Sequence, residues 1–323
     1  MLVSPCPTLE ALAAGRLLTV VRADEREGWP KVDVVDLRRE DPVRSGSLVS
    51  ERLAHLVQDG ARVVCVLNRK GRARLLACRA CRELARCETC DAAVAQGDDG
   101  SLRCPRCATT RPPVCLRCGA TAFRVVRGGV GKLREDLEAL APGEVVDQDD
   151  PDDTRRGARI HVGTEAVLHR VDTTDVVAFV DLDQELLAPR YRAAEQALAL
   201  LVRGARLVGS RRGSGRLLLQ TNVPDHEVVR AAVLGDPARV AAAEEARRAE
   251  LRFPPFAAMA EVSGASAAAF VEALDRPLGL EVLGPVDDRW LLRAPDHRIL
   301  CDALGATPRP GGRLRVEVDP VRI

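Results

Sequence analysis

The sequence of 323 residues is poor in aromatic side chains, with five Phe, two Trp and one Tyr. It also has no run of about 18 apolar residues, the length that a helix needs to cross a bilayer. The N-terminal segment begins without basic residues and carries Glu10 and Arg16 within its apolar part. It is a poor secretion signal, so we expect a cytoplasmic protein without a membrane segment.

Net charge is also nearly absent, because 48 Lys and Arg oppose 47 Asp and Glu to give +1. Any surface for nucleic acid must therefore be a local patch. The stretch from Gln196 to Pro224 has no acidic residue and five arginines: Arg203, Arg206, Arg211, Arg212 and Arg216. It is a candidate contact to a phosphate backbone, and the alternative is a solvated helix and loop. Because it has no aromatic residue, we do not expect base stacking there.

Cysteine, in contrast, is abundant, with eleven residues. Without an export signal these thiols stay reduced and favour metal over disulfides. Eight of them form four Cys-x-x-Cys pairs: Cys78/Cys81, Cys87/Cys90, Cys104/Cys107 and Cys115/Cys118. One such turn brings two thiolates onto a metal, and two turns complete a closed tetrahedral site without an open position for water. The segment contains no His, so we predict two structural zinc ions, each held by four cysteines.

The spacing also predicts which pairs share an ion. Thirteen residues separate Cys90 from Cys104, enough for a short hairpin, so Cys87, Cys90, Cys104 and Cys107 should bind one zinc. Cys78, Cys81, Cys115 and Cys118 should then bind the other. Sequential pairing would require a tight turn over residues 82–86. The alternatives are free core cysteines or iron–sulfur clusters, which also use four thiolates.

Two further expectations concern the arginines near the paired cysteines and the three cysteines outside the pairs. Four neighbouring guanidinium groups should offset the thiolate charge: Arg79, Arg82, Arg106 and Arg117. The isolated Cys6, Cys65 and Cys301 should be buried as small apolar residues. We also expect the core of the surrounding sheet to be separate from the cysteine segment.

Short apolar runs that alternate with helical patterns predict a parallel α/β sheet. The predicted strands are 32–37, 62–67, 123–126, 145–146, 159–162, 176–182 and 217–220. An Ala-, Arg- and Glu-rich helical stretch follows and ends at Phe253-Pro-Pro-Phe256. The order strand, helix, strand, strand, helix, strand from there to residue 318 predicts a small ferredoxin-like α+β domain.

Three other patterns suggest chemistry. Gly128-Gly-Val-Gly-Lys132 is not a phosphate loop, because Val126 and Leu133 stand where such a loop needs Gly and Ser or Thr. It is better interpreted as a strand-to-helix turn. The acidic run 147–153 favours a solvated loop over a cation site. Asp181 and Asp183 end a predicted strand, where carboxylates act in some α/β proteins and cap helices in others.

Taken together, these features resemble the PriA family of primosomal replication-restart proteins, also called primosomal protein N-prime. The cysteine spacing is the most specific feature, and in that family nested pairing is the rule. Five shorter segments are similar to family motifs: Leu67-Asn-Arg-Lys-Gly71, Gly163-Thr164, Asp181-Leu-Asp183, Tyr191-Arg-Ala-Ala-Glu195 and Phe253-Pro-Pro-Phe256. The likeness covers nearly the whole chain but only the C-terminal half of the family's usual length.

The resemblance implies a domain plan. Residues 1–77 and 119–225 would form the second RecA-like lobe of a superfamily 2 helicase, interrupted by a two-zinc insert at 78–118. A helical connector at 226–256 would lead to a DNA-binding domain at 257–323. The implied partners are forked or single-stranded DNA, primosome proteins and single-strand-binding proteins.

Departures from the family pattern argue against catalysis. The chain contains neither a Walker A loop nor an Asp-Glu-x-His box, and Ser4-Pro-Cys-Pro-Thr8 looks like an eroded third motif. Leu207 and Ser210 replace two arginines that would reach the γ-phosphate, and such residues contribute about 10³–10⁵ in rate. We therefore assign no catalytic residue and expect a zinc-containing, DNA-binding replication-restart protein. The alternatives are a 3′–5′ DNA helicase whose first lobe lies elsewhere and a zinc-ribbon scaffold for proteins.

Overall fold

The structure is a computed structural model that describes residues 6–15, 21–40, 47–68, 76–97, 99–125, 130–150, 153 and 157–321. The chain divides into two compact units. The first unit comprises Met1–Cys6, Leu18–Pro189 and Ala193–Val240, and the second comprises Pro7–Leu17, Arg190–Arg192 and Ala241–Ile323. None of the helices in the described ranges is both long and apolar enough to span a bilayer.

The elements are numbered in chain order. The described α-helices are α1 (Leu9–Ala14), α2 (Arg22–Gly28), α3 (Glu51–Gln58), α4 (Val130–Leu140), α5 (Asp183–Leu186), α6 (Ala193–Val208), α7 (Glu227–Leu234), α8 (Ala238–Leu251), α9 (Ala267–Glu272) and α10 (His297–Ala306). The described strands are β1 (Lys31–Asp36), β2 (Val63–Val66), β3 (Leu76–Cys78), β4 (Ala95–Gln96), β5 (Leu102–Arg103), β6 (Thr110–Arg111), β7 (Phe123–Val125), β8 (Val145–Asp147), β9 (Ile160–Gly163), β10 (Val176–Phe179), β11 (Arg216–Thr221), β12 (Ala258–Ser263), β13 (Glu281–Val286), β14 (Arg289–Ala294) and β15 (Arg315–Val318).

The first unit is built on a six-stranded sheet in the order β1-β11-β10-β2-β9-β8. All neighbouring strands are parallel. Parallel strands need helices on both faces, and their central strands are therefore apolar throughout. Strand β2, Val-Val-Cys-Val, is fully buried. The predicted parallel α/β sheet is confirmed.

Side-chain alternation along the strands separates the two cores of this sheet. Leu217 and Leu219 of β11 pack with α6 and α7, whereas Leu218 between them packs with α3 and α4. Helix α3 begins where the side chain of Ser50 accepts a hydrogen bond from the Leu53 N–H at 3.1 Å. Helix caps of this kind satisfy otherwise unpaired N–H groups.

The cysteine segment interrupts the sheet between β2 and β8. Strands β4, β5 and β6 form a three-stranded antiparallel sheet, and β3 pairs with β7. The register of that last pair sets Cys78 opposite Phe123. The prediction that 123–126 joins the parallel sheet is therefore wrong. Hydrogen bonding to β3 holds this strand at the base of the insert.

The second unit contains a four-stranded antiparallel sheet in the order β13-β14-β12-β15. With α9 after β12 and α10 after β14, this is the ferredoxin-like topology that the sequence predicts. Its core is made of small and apolar residues such as Ala260, Phe270 and Leu292, all at most 1% exposed. The domain boundaries at 226, 256 and 257 stay predictions.

An unforeseen cluster ties three distant segments into the second unit. Arg248 is fully buried, and it contacts Glu244 at 3.0 Å and Glu10 of α1 at 3.2 Å. Its guanidinium also lies 5.1 Å from the centre of the Tyr191 ring, which packs at 5.5 Å against Phe253. The motifs around Tyr191 and Phe253 therefore meet in space, although neither motif indicates this in the sequence.

Candidate metal centres and nucleic-acid interface

The four Cys-x-x-Cys turns share one backbone conformation. The residue after each second cysteine has a positive φ, namely Arg82 (63°), Asp91 (60°), Ala108 (61°) and Gly119 (75°). In each turn this residue donates its N–H to the carbonyl of the first cysteine, as Asp91 does to Cys87 at 3.1 Å. The first cysteine donates in turn to the carbonyl five residues later. Because only one of the four positions is Gly, the sequence does not reveal this conformation.

These turns bring the paired cysteines into two groups. The outer cluster contains Cys78, Cys81, Cys115 and Cys118, and the inner cluster contains Cys87, Cys90, Cys104 and Cys107. Within each cluster the sulfur atoms lie within 4.8 Å of one another. The Sγ atoms of Cys78 and Cys118 are 3.6 Å apart, and those of Cys90 and Cys104 are 3.5 Å apart.

Such a donor set fits a tetrahedral metal. Four sulfurs bound at 2.3 Å around zinc would lie about 3.8 Å from one another. Each cluster could therefore hold a metal ion, and the grouping is nested, with the second pair joined to the third and the first to the fourth. Among the described residues, these two clusters are the groups of His, Cys, Asp or Glu arranged to hold an ion.

One thiol of each cluster is disposed to ionise. A hydrogen bond from the Cys90 thiol lowers the pKa of Cys104 to about 5, and the same bond raises the pKa of Cys90. In the outer cluster, burial opposes ionisation of Cys78, but the N–H groups of Cys81 and Ala80 donate to its sulfur, and the net result lowers its pKa to about 7. The thiolate is the form that binds metal.

The four arginines near the cysteines make contacts mainly with oxygen atoms. Arg79 donates to the Phe123 carbonyl at 3.2 Å, and Arg117 pairs with Glu83 at 3.3 Å. Arg106 donates to the carbonyl of Cys90 at 3.1 Å and to that of Ala188 at 2.9 Å. Arg106 thus joins the inner cluster to the segment that follows α5, a link that the sequence does not indicate.

The insert and the parallel sheet share one core. Leu84 and Ala93 of the insert belong to the same buried cluster as Val64 of β2 and Ala77 of β3. The Ala93 N–H also donates to the Leu187 carbonyl at 2.9 Å. The expectation of a separate sheet core is therefore wrong, because the alanines of this segment are small enough to pack closely against the sheet.

The three isolated cysteines differ from one another. Cys65 lies in β2 and is buried, and burial raises the pKa of its thiol to about 12. Cys6 is half-buried, and Cys301 is exposed on α10. The expectation of burial therefore holds for Cys65 and is wrong for Cys301, which lies on the solvent side of an amphipathic helix.

Asp183 lies at the carboxyl ends of the parallel strands, and its side chain is bonded to other groups of the protein. It is fully buried, and it accepts hydrogen bonds from the Thr221 hydroxyl and from the backbone N–H and side-chain amide of Asn222, the last at 2.7 Å. Burial raises the pKa of this carboxyl. Gln220 is also buried and donates to the carbonyls of Leu48 and Val180. Both side chains join neighbouring segments at this edge.

The acidic run 147–153 is partly described, since residues 151 and 152 lie outside the described ranges. Asp149 accepts hydrogen bonds from the Thr164 N–H at 2.6 Å and from its hydroxyl at 3.3 Å. Asp153 pairs with Arg134 of α4 at 3.2 Å. These carboxylates contact the protein itself, which supports the interpretation as a loop over that of a cation site.

The five arginines proposed for DNA differ in exposure and partners. Arg203 and Arg206 are exposed, one turn apart on α6. Arg212 pairs with Glu27 of α2, and Arg216 pairs with Asp33 of β1 at 3.0 Å. Arg211 is half-buried and donates to the Val233 carbonyl at 3.5 Å. Acidic partners from distant segments, which sequence reading missed, therefore neutralise part of the patch.

Several sequence motifs lie partly outside the described residues: Ser4–Thr8, Leu67–Gly71 and Gly128–Lys132. Of the second, Asn68 is described. Its side-chain amide donates to Glu185 at 2.7 Å, and its carbonyl oxygen accepts from the Glu165 N–H at 2.6 Å. Asn68 therefore connects the end of β2 to the segments that follow β9 and β10.

Sequence comparison finds known proteins that are similar to this chain. No protein-family model matches the chain. Replication restart protein PriA of Bacillus subtilis is 27% identical over 288 residues, which cover 80% of this chain and 36% of that protein. PriA of Treponema pallidum is 29% identical over 340 residues, covering 91% of this chain and 51% of that protein.

A third relative is the probable replication restart protein PriA of Mycobacterium tuberculosis strain H37Rv. It is 30% identical over 292 residues, covering 82% of this chain and 44% of that protein. The chain thus spans about half, or less, of the length of these curated relatives. The chain is related to replication restart protein PriA and corresponds to the C-terminal half of that family, as its motifs predict.

Proposed function

We propose that this chain binds two structural zinc ions and DNA, and acts in replication restart without hydrolysing ATP itself. The observation that carries the proposal is the pair of four-cysteine clusters in an insert of a parallel α/β unit, combined with the similarity to PriA. Residues 1–77 and 119–225 would form a helicase-type lobe around the insert at 78–118. Residues 226–256 would connect this lobe to a DNA-binding domain at 257–323. Primosome and single-strand-binding proteins are the proposed partners.

Zinc is the metal that best suits the donor set. Zinc has no redox chemistry, and it takes four thiolates in closed structural sites. Cys78, Cys81, Cys115 and Cys118 would hold the first ion. Cys87, Cys90, Cys104 and Cys107 would hold the second. A structural ion in such a site links the strands of the insert, whose two-residue strands bury little apolar surface.

Metal analysis of the purified chain tests this assignment. We expect two zinc ions per chain, and one zinc ion after Cys87→Ser. The same change should strongly destabilise the insert, because zinc contributes roughly 10–16 kcal/mol to such small folds. Cys301→Ser is the matched control, because this exposed cysteine lies outside both clusters. Visible absorption from iron, or fewer than two ions in the native chain, would contradict the assignment.

The proposed DNA contact is the exposed face of α6. Arg203 and Arg206 project from one side of this helix, and Arg211, Arg212 and Arg216 extend the patch. Phosphate contacts release counterions, so the binding constant falls as salt is added. The slope of log K against log salt concentration is roughly −0.9 for each phosphate contacted on duplex DNA. The Arg212–Glu27 and Arg216–Asp33 pairs lessen the positive charge of the patch. We therefore expect Arg203 and Arg206 to contribute more than the other three.

Titration of forked and single-stranded DNA over a range of salt concentrations measures this contribution. Changing Arg203 and Arg206 together to Ala should flatten the slope by about one to two units. Changing both to Lys should preserve the slope, because the charge stays. Changing Arg211 and Arg212 together to Ala should flatten it less. If both Ala pairs leave the slope unchanged, the contact lies in the insert or in the ferredoxin-like domain.

A protein-binding scaffold is the second candidate. Val114 and Leu116, which flank Cys115 of the outer cluster, are 39% and 60% exposed. Exposed apolar side chains next to each other in this way are suited to contact another protein. The salt titration separates the two functions, because a scaffold without a DNA site would bind DNA at no salt concentration.

A further inference from the structure

The two cysteine clusters differ in how far solvent reaches them. In the inner cluster Cys87, Cys90 and Cys104 are at most 4% exposed, and Cys107 is half-buried. In the outer cluster Cys78 and Cys115 are buried, Cys81 is half-buried and Cys118 is exposed. An attacking ligand or reagent therefore has direct access to one sulfur of the outer cluster.

The two clusters also differ in how they are attached. The inner cluster is fixed to the sheet unit by Arg106, which bridges the carbonyls of Cys90 and Ala188, and by the bond from Ala93 to Leu187. The hydroxyl of Thr109 lies 3.1 Å from the Cys107 sulfur and adds a further contact.

The turn that carries Cys118 is held less firmly. Its Arg117 pairs with Glu83, but 58% of that arginine side chain is exposed. Exposed ion pairs contribute little to stability. The preceding residue, Leu116, also faces solvent. This turn can therefore open at a smaller cost than the turns of the inner cluster, since local opening is easiest where few groups are buried.

We propose that the outer cluster is the labile one: it loses its metal first and is modified first at Cys118, while the inner cluster keeps its metal and its contacts with Leu187 and Ala188. This inference rests on the proposed binding of two zinc ions. A chelator would replace the Cys118 thiolate by ligand exchange, without oxidation or reduction. The released thiolate would then react with iodoacetamide, forming an S–C bond as the C–I bond breaks and iodide leaves. The chain could thus respond to metal depletion or to electrophiles without losing the inner cluster.

Stopped-flow mixing of the zinc-loaded chain with the absorbing chelator 4-(2-pyridylazo)resorcinol tests the difference. We expect two phases of one zinc each, with the first faster by about tenfold or more, which corresponds to about 1.4 kcal/mol in the barrier. In a parallel experiment, iodoacetamide labelling followed by peptide mass spectrometry should modify Cys118 during the first phase. Cys87, Cys90 and Cys104 should become labelled only during the second.

Substitutions show which cluster gives rise to each phase of zinc release. Cys118→Ser should leave one zinc per chain, released at the slow rate. Arg106→Ala should accelerate the slow phase alone, whereas the matched variant Arg117→Ala should leave it unchanged. Release of both ions in one phase, or labelling of Cys107 before Cys118, would overturn this inference while zinc binding stands. A chain that binds no zinc would overturn the proposed function as well.

Discussion

At the scale of single residues, the metal clusters depend on a backbone feature that the cysteine pattern conceals. Each turn needs a left-handed residue directly after its second cysteine, and three of the four are not Gly. An L-residue in this conformation costs roughly 1–2 kcal/mol. The turns therefore contain strain, which metal binding by the neighbouring thiolates would offset.

This strain predicts opposite effects for two substitutions. Gly119→Ala should destabilise the insert by about 1 kcal/mol, because its φ of +75° disfavours a side chain although the added Cβ would meet nothing within 4 Å. Ala108→Gly should relieve the same strain and stabilise the insert by less than that amount, since glycine also adds freedom to the unfolded chain. Thermal unfolding of the zinc-loaded variants measures both. Equal signs for the two changes would refute the explanation.

Asp183 supplies a second prediction for a single residue. All the described hydrogen bonds to its carboxylate come from donors on Thr221 and Asn222. In Asp183→Asn the amide group would face one of these donors, and a buried unsatisfied polar group costs about 1–3 kcal/mol. We expect a loss of that size in urea unfolding, whereas Asp172→Asn, at an exposed position, should be neutral. A neutral Asp183→Asn would instead favour a catalytic or binding role for this carboxylate.

At the scale of elements, ion pairs connect the edge strand β1 to α3 and β11. Asp33 of β1 lies 2.9 Å from Arg52 of α3 and 3.0 Å from Arg216 of β11. Partial burial opposes ionisation of Asp33, but the two guanidinium groups outweigh it and lower the pKa of Asp33 below its usual 3.8. Folding therefore favours the ionised carboxylate.

The pH dependence of stability follows from the sign of this shift. A carboxyl whose pKa is lower in the folded chain stabilises it above the unfolded pKa, and this contribution is lost as pH falls through the folded pKa. Asp33→Asn should therefore be less stable than the parent chain at pH 7. The difference should shrink once pH drops below 3.8. Urea unfolding of both chains across this range measures it, and a difference that is constant with pH would contradict the assignment.

Element by element, sequence periodicity predicts the strands of the sheet and the order of the ferredoxin-like unit well. The apolar run of β2 follows from its burial on both faces of the sheet. Periodicity does not tell which sheet a short strand joins, and Phe123–Val125 pairs with β3 and not with the parallel sheet that the sequence predicts for it. The nested cysteine grouping could be predicted because the hairpin between Cys90 and Cys104 has a length that favours it. The contacts of Arg106 and Arg248 could not be predicted from the sequence, because they join residues far apart in the chain.

At the scale of the whole molecule, the proposed role is binding without catalysis. ATP hydrolysis by a two-lobe motor needs a phosphate loop, a metal-holding carboxylate and arginines across the cleft. These 323 residues contain no Walker A loop, and the resemblance to the family implies that Leu207 and Ser210 stand where the arginines would be. Leu207 packs against the core of the sheet unit, which leaves no charged group at that position.

We therefore expect this chain to show no ATPase and no unwinding activity above background, with or without forked DNA. Leu207→Arg together with Ser210→Arg should not restore activity, because the phosphate loop would still be missing. A coupled ATPase assay with single-stranded and forked DNA measures this. DNA-dependent hydrolysis by the purified chain would show that it is an active helicase. Activity only after addition of a separate first lobe would indicate a motor made of two chains.

The contact between Arg248 and Glu10 has a consequence for synthesis on the ribosome. The two residues are 238 positions apart, so α1 leaves the ribosome long before its partner exists. At about 5–20 residues per second, this interval is roughly 10–50 s. During that time α1 lacks Arg248, and chaperones that shield nascent chains have their first opportunity to bind this helix.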